Sequence, residues 1–217
     1  EAAISGASYV LAYVNSALPR THGAFVDWND IDGAVHIDEP VPHFPASVGT
    51  DDATSRIARN VASIIRDGDC LQLGIGSVPS AVLKELHSHK NLGYHGGLIT
   101  DDLLDLFDAG ILNGQRKSVD NGRVVTGAAI GTARLYDRVT DDQFLFRNSK
   151  YTHCSTTLAR LDNFVSINSA IEVDLFGQVN SETIGHQQVS GCGGALDFVR
   201  GANLSRGGRA IIAMPST

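Results

Sequence analysis

Long apolar runs are missing from this chain. No stretch reaches the roughly 18 apolar residues that a membrane-spanning helix needs, so none is expected. Basic residues are few: 17 Lys and Arg stand against 24 Asp and Glu, for a net charge of −7. No basic stripe appears, so nucleic acid and an anionic membrane surface are poor partners. The three cysteines, Cys70, Cys154 and Cys192, have no CxxC spacing and an odd count. They frame neither a disulfide scaffold nor a zinc site, and a reducing cytoplasm is the plain expectation. The eight histidines likewise lack metal-ligand spacing, so no metal is expected. Glutamate is scarce as well, with five residues (Glu1, Glu39, Glu85, Glu172 and Glu182) against nineteen aspartates. A mechanism that needs a glutamate has a short list to search. The only methionine is Met214 and the first residue is Glu1. The sequence is therefore expected to be processed, truncated or a partial representation.

The 217 residues, 42% hydrophobic with 23 glycines, suit a globular protein of one domain or a domain with a piece of another. Ser8 to Val14 reads as a short buried strand and Ala34 to Ile37 as a second. Glu39 to Gly49 holds three prolines and no period, which marks a linker or crossover. Asp51, Asp52 and Thr54 open a helix with Ile57, Ala58, Val61, Ile64 and Ile65 on one face, and Gly68 stops it. Cys70 to Leu73 is a strand with Cys70 in the core. After Gly74-Ile75-Gly76 a helix follows, capped by Ser77, with Pro79 in its first turn and Val82, Leu83 and Leu86 buried. A short helix at Leu103 to Phe107 stops at Gly110. Val124 to Ala129, Phe164 to Ile171 and Arg209 to Met214 are strand-like. Gly191 to Gly194 turns into a helix at Ala195 to Arg200. Strand, glycine turn and helix in alternation predict an α/β fold with largely parallel strands from about Thr50 onward.

Two glycine turns carry the functional signal. Gly74-Ile75-Gly76 lies between a strand and a helix, where backbone can approach a ligand and free N–H groups face an anion. It lacks the third glycine of a dinucleotide fingerprint and the GK[ST] of a P-loop, and a plain tight turn explains it equally well. Ser190-Gly191-Cys192-Gly193-Gly194 could present backbone N–H groups as an oxyanion hole, or simply be a sharp turn. Cys192 is a weak nucleophile candidate, since only His186 is near it in sequence. The pair His87 and His89, at a helix end, reads as solvated.

Taken together, an ordered set of motifs resembles the acetyl-CoA hydrolase/transferase family. This family lies within the class I CoA-transferases and includes the 4-hydroxybutyrate CoA-transferases. The set comprises LQLGIGSVPSAVL (Leu71 to Leu83), LGYH (Leu92 to His95), DDLLDLFDAG (Asp101 to Gly110) and GTARLYD (Gly131 to Asp137). It continues through INSAIEVDLFGQ (Ile167 to Gln178), SGCGGALDFVRG (Ser190 to Gly201) and IIAMPST (Ile211 to Thr217), with VNSALPRTHG (Val14 to Gly23) near the start. The resemblance covers essentially the whole chain.

The resemblance implies a layered α/β/α, class I CoA-transferase-like fold with a largely parallel sheet. It implies that residues 1–48 are the end of a first domain plus the linker. Residues 49–217 would then be a second domain, incomplete at its C-terminus. It implies coenzyme A as substrate with no bound cofactor, acyl-CoA and a small carboxylic acid as partners, and a homo-oligomer or a companion domain. The family's transfer runs through a glutamate that attacks the thioester. Here Gly97 stands at that glutamate's position, and a glycine forms no anhydride. Glu172, Asp101 and Glu85 are the substitutes to weigh. The resemblance carries Gly191, Gly193 and Gly194 over as oxyanion or CoA-binding positions, and Gly74 and Gly76 as a wall of the same site. Without the glutamate, His95 or Asp101 could position a water for hydrolysis. A non-catalytic acyl-CoA-binding module is the alternative from another class.

Overall fold

The computed structural model describes residues 2–23, 25–44, 49 and 51–216. It begins with helix α1 (Ala2–Gly6) and strands β1 (Leu11–Asn15) and β2 (Gly33–Ile37). Then come helix α2 (Asp52–Ala62), β3 (Cys70–Leu73), α3 (Ser77–Lys84), β4 (Gly93–His95), β5 (Leu98–Ile99) and α4 (Asp102–Asp108). The middle of the chain supplies β6 (Val124–Thr126), β7 (Ala128–Ala129), α5 (Ala133–Arg138), β8 (Phe144–Phe146), α6 (Ser149–Thr152), α7 (Ser155–Leu158) and β9 (Phe164–Ser169). Two small hairpins follow, β10 (Glu172–Val173) with β11 (Val179–Asn180) and β12 (Thr183–Ile184) with β13 (Gln187–Gln188). Helix α8 (Ala195–Leu204) and β14 (Arg209–Ala213) close the fold.

Six strands form one sheet in the order β14-β9-β3-β4-β6-β8, and every neighbouring pair is parallel. The expected α/β class is therefore the observed one. From β3 the chain steps outward through β4 and β6 to β8. It then returns to lay β9 on the other side of β3, with β14 outermost. The order thus reverses between β3 and β9, the place where an open parallel sheet leaves a crevice at its carboxyl edge.

Side-chain alternation builds the two faces. Leu71, Leu73, Tyr94, Val165 and Ile167 join the larger core with Ala58 of α2, Val82 of α3 and Leu103 of α4. Cys70 and Phe164 point the other way, into a smaller core with Leu158 of α7 and Phe198 of α8. Helices thus cover both sides of the sheet, and Cys70 is buried as its apolar run predicts. On the second face Gln72, Ser166 and Asn168 are also buried. Ser166 Oγ donates to Gln72 Oε1 at 2.7 Å, and Asn168 Nδ2 donates to the same oxygen at 3.1 Å. Buried amides and hydroxyls persist when they satisfy one another in this way.

Several local expectations shift. The helix opened by Asp51 ends at Ala62, so Ile64 falls beyond its face and is exposed, while Ile65 is buried. Asp51 caps that helix, accepting from the Thr54 amide at 2.7 Å. In α3 the cap is Gly76 rather than Ser77, and no side chain bonds the free amides. The strand expected over Val124 to Ala129 is broken at Gly127, leaving β6 in the main sheet and β7 paired with β5. The first strand starts at Leu11, and it is not buried: Leu11 and Tyr13 are 70% and 75% exposed. Among the described residues it pairs only with β2. The linker expected over Glu39 to Gly49 lies partly outside the described residues, at positions 45–48. Before it, the Tyr136 hydroxyl donates to Pro42 O at 2.9 Å and the Phe44 amide donates to Gly131 O at 2.9 Å.

Phe164 is fully buried and joins the sheet to the α8 layer, with Phe198 at 6.4 Å. Phe164→Ala is expected to cost about 3–5 kcal/mol, because the cavity it leaves cannot fully collapse. Urea titration checks this as a lower midpoint at unchanged slope.

Candidate functional site

The loop after β4, the segment around α6 and the start of α8 meet on one side of the sheet. There an open cleft of about 710 Å3 is lined by His153, Cys154, Lys150, Gly193, Gly194 and Asp197, with Arg200 at its margin. Among the described residues, none accepts a hydrogen bond from the amides of Gly191, Cys192, Gly193 or Gly194. The Gly194 cap of α8 has no side-chain bond either. These donors face a helix start, where negative charge is favoured.

His153 organises this cleft. A Cβ at Gly97 would stand 3.0 Å from its Cε1 and 3.2 Å from its Nε2, and a Cβ at Gly194 would collide with Nε2. The ring fits only because both positions are glycine. It packs against Phe198 with centroids 4.4 Å apart, and its Nδ1 is 2.8 Å from Thr152 Oγ1. Burial pushes the imidazole below its ordinary range, and Asp197 partly opposes that. Beside it, the Cys154 thiol is lowered to about 7 by the Thr156 hydroxyl, at 3.0 Å, and by the Thr156 and Thr157 amides. Neither His153, Cys154 nor Lys150 stands out in the sequence, because they lie in a segment with no period and no motif.

The other predicted residues are dispersed. Gly74 and Gly76 line a separate cavity of about 30 Å3 with Tyr94, Leu98 and Leu103, so the two glycine turns do not share one concavity. That space holds about two waters. The Gly74 amide donates to Ile167 O at 2.9 Å and so extends the β3–β9 ladder instead of offering a donor. A Cβ at Gly74 would stand 2.9 Å from Asn168 Oδ1, so the glycine lets the turn close over the polar network. Gly76 has φ 123°, the conformation that permits the turn into α3.

His95 follows Tyr94 into the sheet and lines neither concavity. It is fully buried, with Tyr151 and Phe164 against its ring; neither ring nitrogen has a partner in full hydrogen-bond geometry among the described residues, and the nearby Thr152 backbone only partly favours the charged form. Burial pushes it down to about 3, helped by the Lys117 ammonium. Lys117 is itself buried and donates to the carbonyls of Tyr94 and Arg123, at 3.1 and 2.8 Å. Asp101 has both oxygens on Thr132: Oδ2 accepts from the amide and Oδ1 from the hydroxyl, each at 2.7 Å. It fastens the start of α5 and does not line the cleft. Glu85 is exposed just past α3, at its C-cap. Glu172 is exposed on β10 and accepts from Asn180 Nδ2 at 2.7 Å, as a structural residue would. Cys192 is exposed, and His186 lies outside the cleft. His87 is exposed, whereas His89 is half-buried with Nε2 3.2 Å from Ile65 O.

Residues 131–217 match the model of the acetyl-CoA hydrolase/transferase C-terminal domain. The chain is 45% identical to a 4-hydroxybutyrate coenzyme A transferase of Clostridium kluyveri, over 99% of its own length and 50% of that protein. It belongs to the acetyl-CoA hydrolase/transferase family. An acetyl-CoA hydrolase of Neurospora crassa is 30% identical over 68% of this chain and 27% of its own. Among solved structures, RipA from Yersinia pestis superposes with a TM-score of 0.86 at 35% identity, covering 99% of this chain and 48% of RipA. A 4-hydroxybutyrate CoA-transferase from Porphyromonas gingivalis superposes at 0.85 and 35% identity, covering 97% and 51%. The family member described here spans about half the length of the curated relatives it matches.

The buried His95 makes stability depend on pH in a defined direction. Its folded value is near 3 against an ordinary 6.5, so acid protonates the unfolded chain first. Its contribution is complete above pH 6.5 and is lost as pH falls toward 3, at up to about 1.4 kcal/mol per pH unit. His95→Phe is expected to flatten that slope, as followed by urea midpoints between pH 7 and pH 5.

Proposed function

We propose that this chain is the thioester-handling part of an acyl-CoA enzyme. The enzyme would transfer CoA between carboxylic acids or hydrolyse the thioester. The observation that carries the reading is the cleft at the sheet's carboxyl edge. There Gly193 and Gly194, whose amides have no acceptor among the described residues, line the cleft together with His153, Lys150 and Arg200. Such amides suit the oxyanion of a tetrahedral intermediate. The two cations suit the phosphates of CoA, which would otherwise be repelled by a chain of net charge −7. Coenzyme A acts here as substrate rather than as a resident cofactor, and a small carboxylic acid is the second partner.

Residues 1–48 are read as the end of a first domain with its linker, and residues 49–217 as most of the second. The exposed faces of β1 and β2 support this, since parallel strands are ordinarily covered on both sides. A companion domain or a second copy is the expected cover, and the cytoplasm is the expected compartment. The alternative, a non-catalytic acyl-CoA-binding module, draws its support from Gly97.

Incubating the full protein with acetyl-CoA and longer acyl-CoAs, with and without acetate, separates the readings. Thiol release without acceptor supports hydrolysis, and acyl exchange that requires a carboxylate supports transfer. Saturable CoA binding with neither product would leave only the binding module. Gly97→Glu is expected to gain carboxylate-dependent exchange that borohydride inactivates in the presence of acyl-CoA. Because His153 stands 3.0 Å from a Cβ at that position, adding His153→Gly should raise the exchange further. No gain in either variant would count against placing the family's glutamate at position 97.

A further inference from the structure

We propose that His153 is the base that activates water against the thioester carbonyl in this cleft. The proposal rests on the acyl-CoA reading above and assigns the water-activating role to a residue outside the motifs of the sequence.

The first support is position. Gly97, on the loop after β4, and Gly194, at the cap of α8, come together only around this imidazole. Gly193 and Gly194, whose amides have no acceptor among the described residues, therefore line the same cleft as the ring. A base must stand next to the place where the oxyanion will be held, and His153 is the histidine that lines the cleft.

The second support is orientation. The Thr152 hydroxyl donates its single proton to Asn148 O at 3.3 Å. In the tautomer the proposal uses, that hydroxyl oxygen accepts at 2.8 Å from the Nδ1–H of His153 and Nε2 keeps its lone pair. Phe198 holds the ring plane. The charged groups around it are Asp197 on α8, which favours the imidazolium, and His95 under the sheet face, together with Lys150, Cys154 and Arg200 along the cleft. Burial outweighs Asp197 and keeps the resting imidazole neutral near pH 7.

The reaction balances with water alone. Water attacks the thioester carbon while Nε2 takes one of its protons, and the carbonyl electrons move to an oxyanion beside the glycine turn. The oxyanion collapses, the C–S bond breaks, and the departing CoA thiolate takes the proton from Nε2. A carboxylic acid and free CoA remain, and the imidazole is neutral again.

The test is acceptor-free thiol release from acetyl-CoA and butyryl-CoA by the full protein. His153→Asn is expected to lower kcat by about 100-fold or more with KM and CoA binding little changed. His153→Gly should regain activity in proportion to added imidazole, which a purely structural role would not allow. Gly97→Ala is a variant at a different position, and its Cβ would press on the ring. It should also lower kcat, which keeps the idea testable if the His153 variants fail to fold. Variants at His153 that bind CoA and retain parental kcat would overturn the role of His153 and leave the acyl-CoA reading standing. A parent that exchanges acyl groups only with a carboxylate would do the same. A parent that binds CoA but neither releases thiol nor exchanges would overturn both.

Discussion

Everything in this fold depends on six strands running the same way. Parallel pairing sends each connection back across a face of the sheet, so helices must cover both sides and the strands must be apolar on both. It also gathers all six carboxyl ends at one edge. Cys70–Leu73 and most of Phe164–Ser169 are buried throughout because they lie at the centre of this arrangement. The segments beyond the carboxyl edge carry the glycines and His153, with Lys150 on α6 and Arg200 on α8. Polar groups on the α8 face of the sheet are satisfied internally: Gln72 with Ser166 and Asn168, and Lys117 with two carbonyls. His95 is an exception among the described residues, kept neutral by its burial.

Much of the frame was readable from the chain. Cys70–Leu73 and Arg209–Ala213 are mostly apolar, interrupted by Gln72 and opened by Arg209, and the faces of α2 and α3 repeat with helical spacing. Period and turn chemistry are local, so sequence reveals them. The misreadings have local causes too. A helical wheel drawn past Ser63 put Ile64 inside, although the chain had already left the helix. Gly76, with its positive φ, took the cap that Ser77 was expected to fill. The hairpins of β10 to β13 and the single turns α6 and α7 are too short to show any period. Exposure was also invisible: the apolar run at β1 reads as core, yet Leu11 and Tyr13 face outward.

The cleft was only half legible. The glycines of the 191–194 turn announce themselves by composition, and the two turns look alike on paper. Their hydrogen bonds separate them, since the Gly74 amide continues a ladder while the amides of the second turn are unengaged among the described residues. His95 and Asp101 attracted notice because they flank position 97, but one is shut inside the sheet layer and the other fastens Thr132. His153 went unremarked because its neighbours at the site, Gly97 and Gly194, are distant in the chain. Only the tertiary fold brings the three together.

That three-way contact constrains how such a site can change over generations. Gly97 lacks the left-handed backbone that favours glycine, so its backbone does not by itself exclude a side chain. What restricts it is the imidazole 3.0 Å away from where a Cβ would be. A side chain at position 97 and a ring at position 153 compete for one volume. Neither can be exchanged freely while the other stays, so the order in which the two substitutions arise determines which intermediates fold well. Positions 97 and 153 should therefore vary together across sequences that share this fold, although neither bonds to the other.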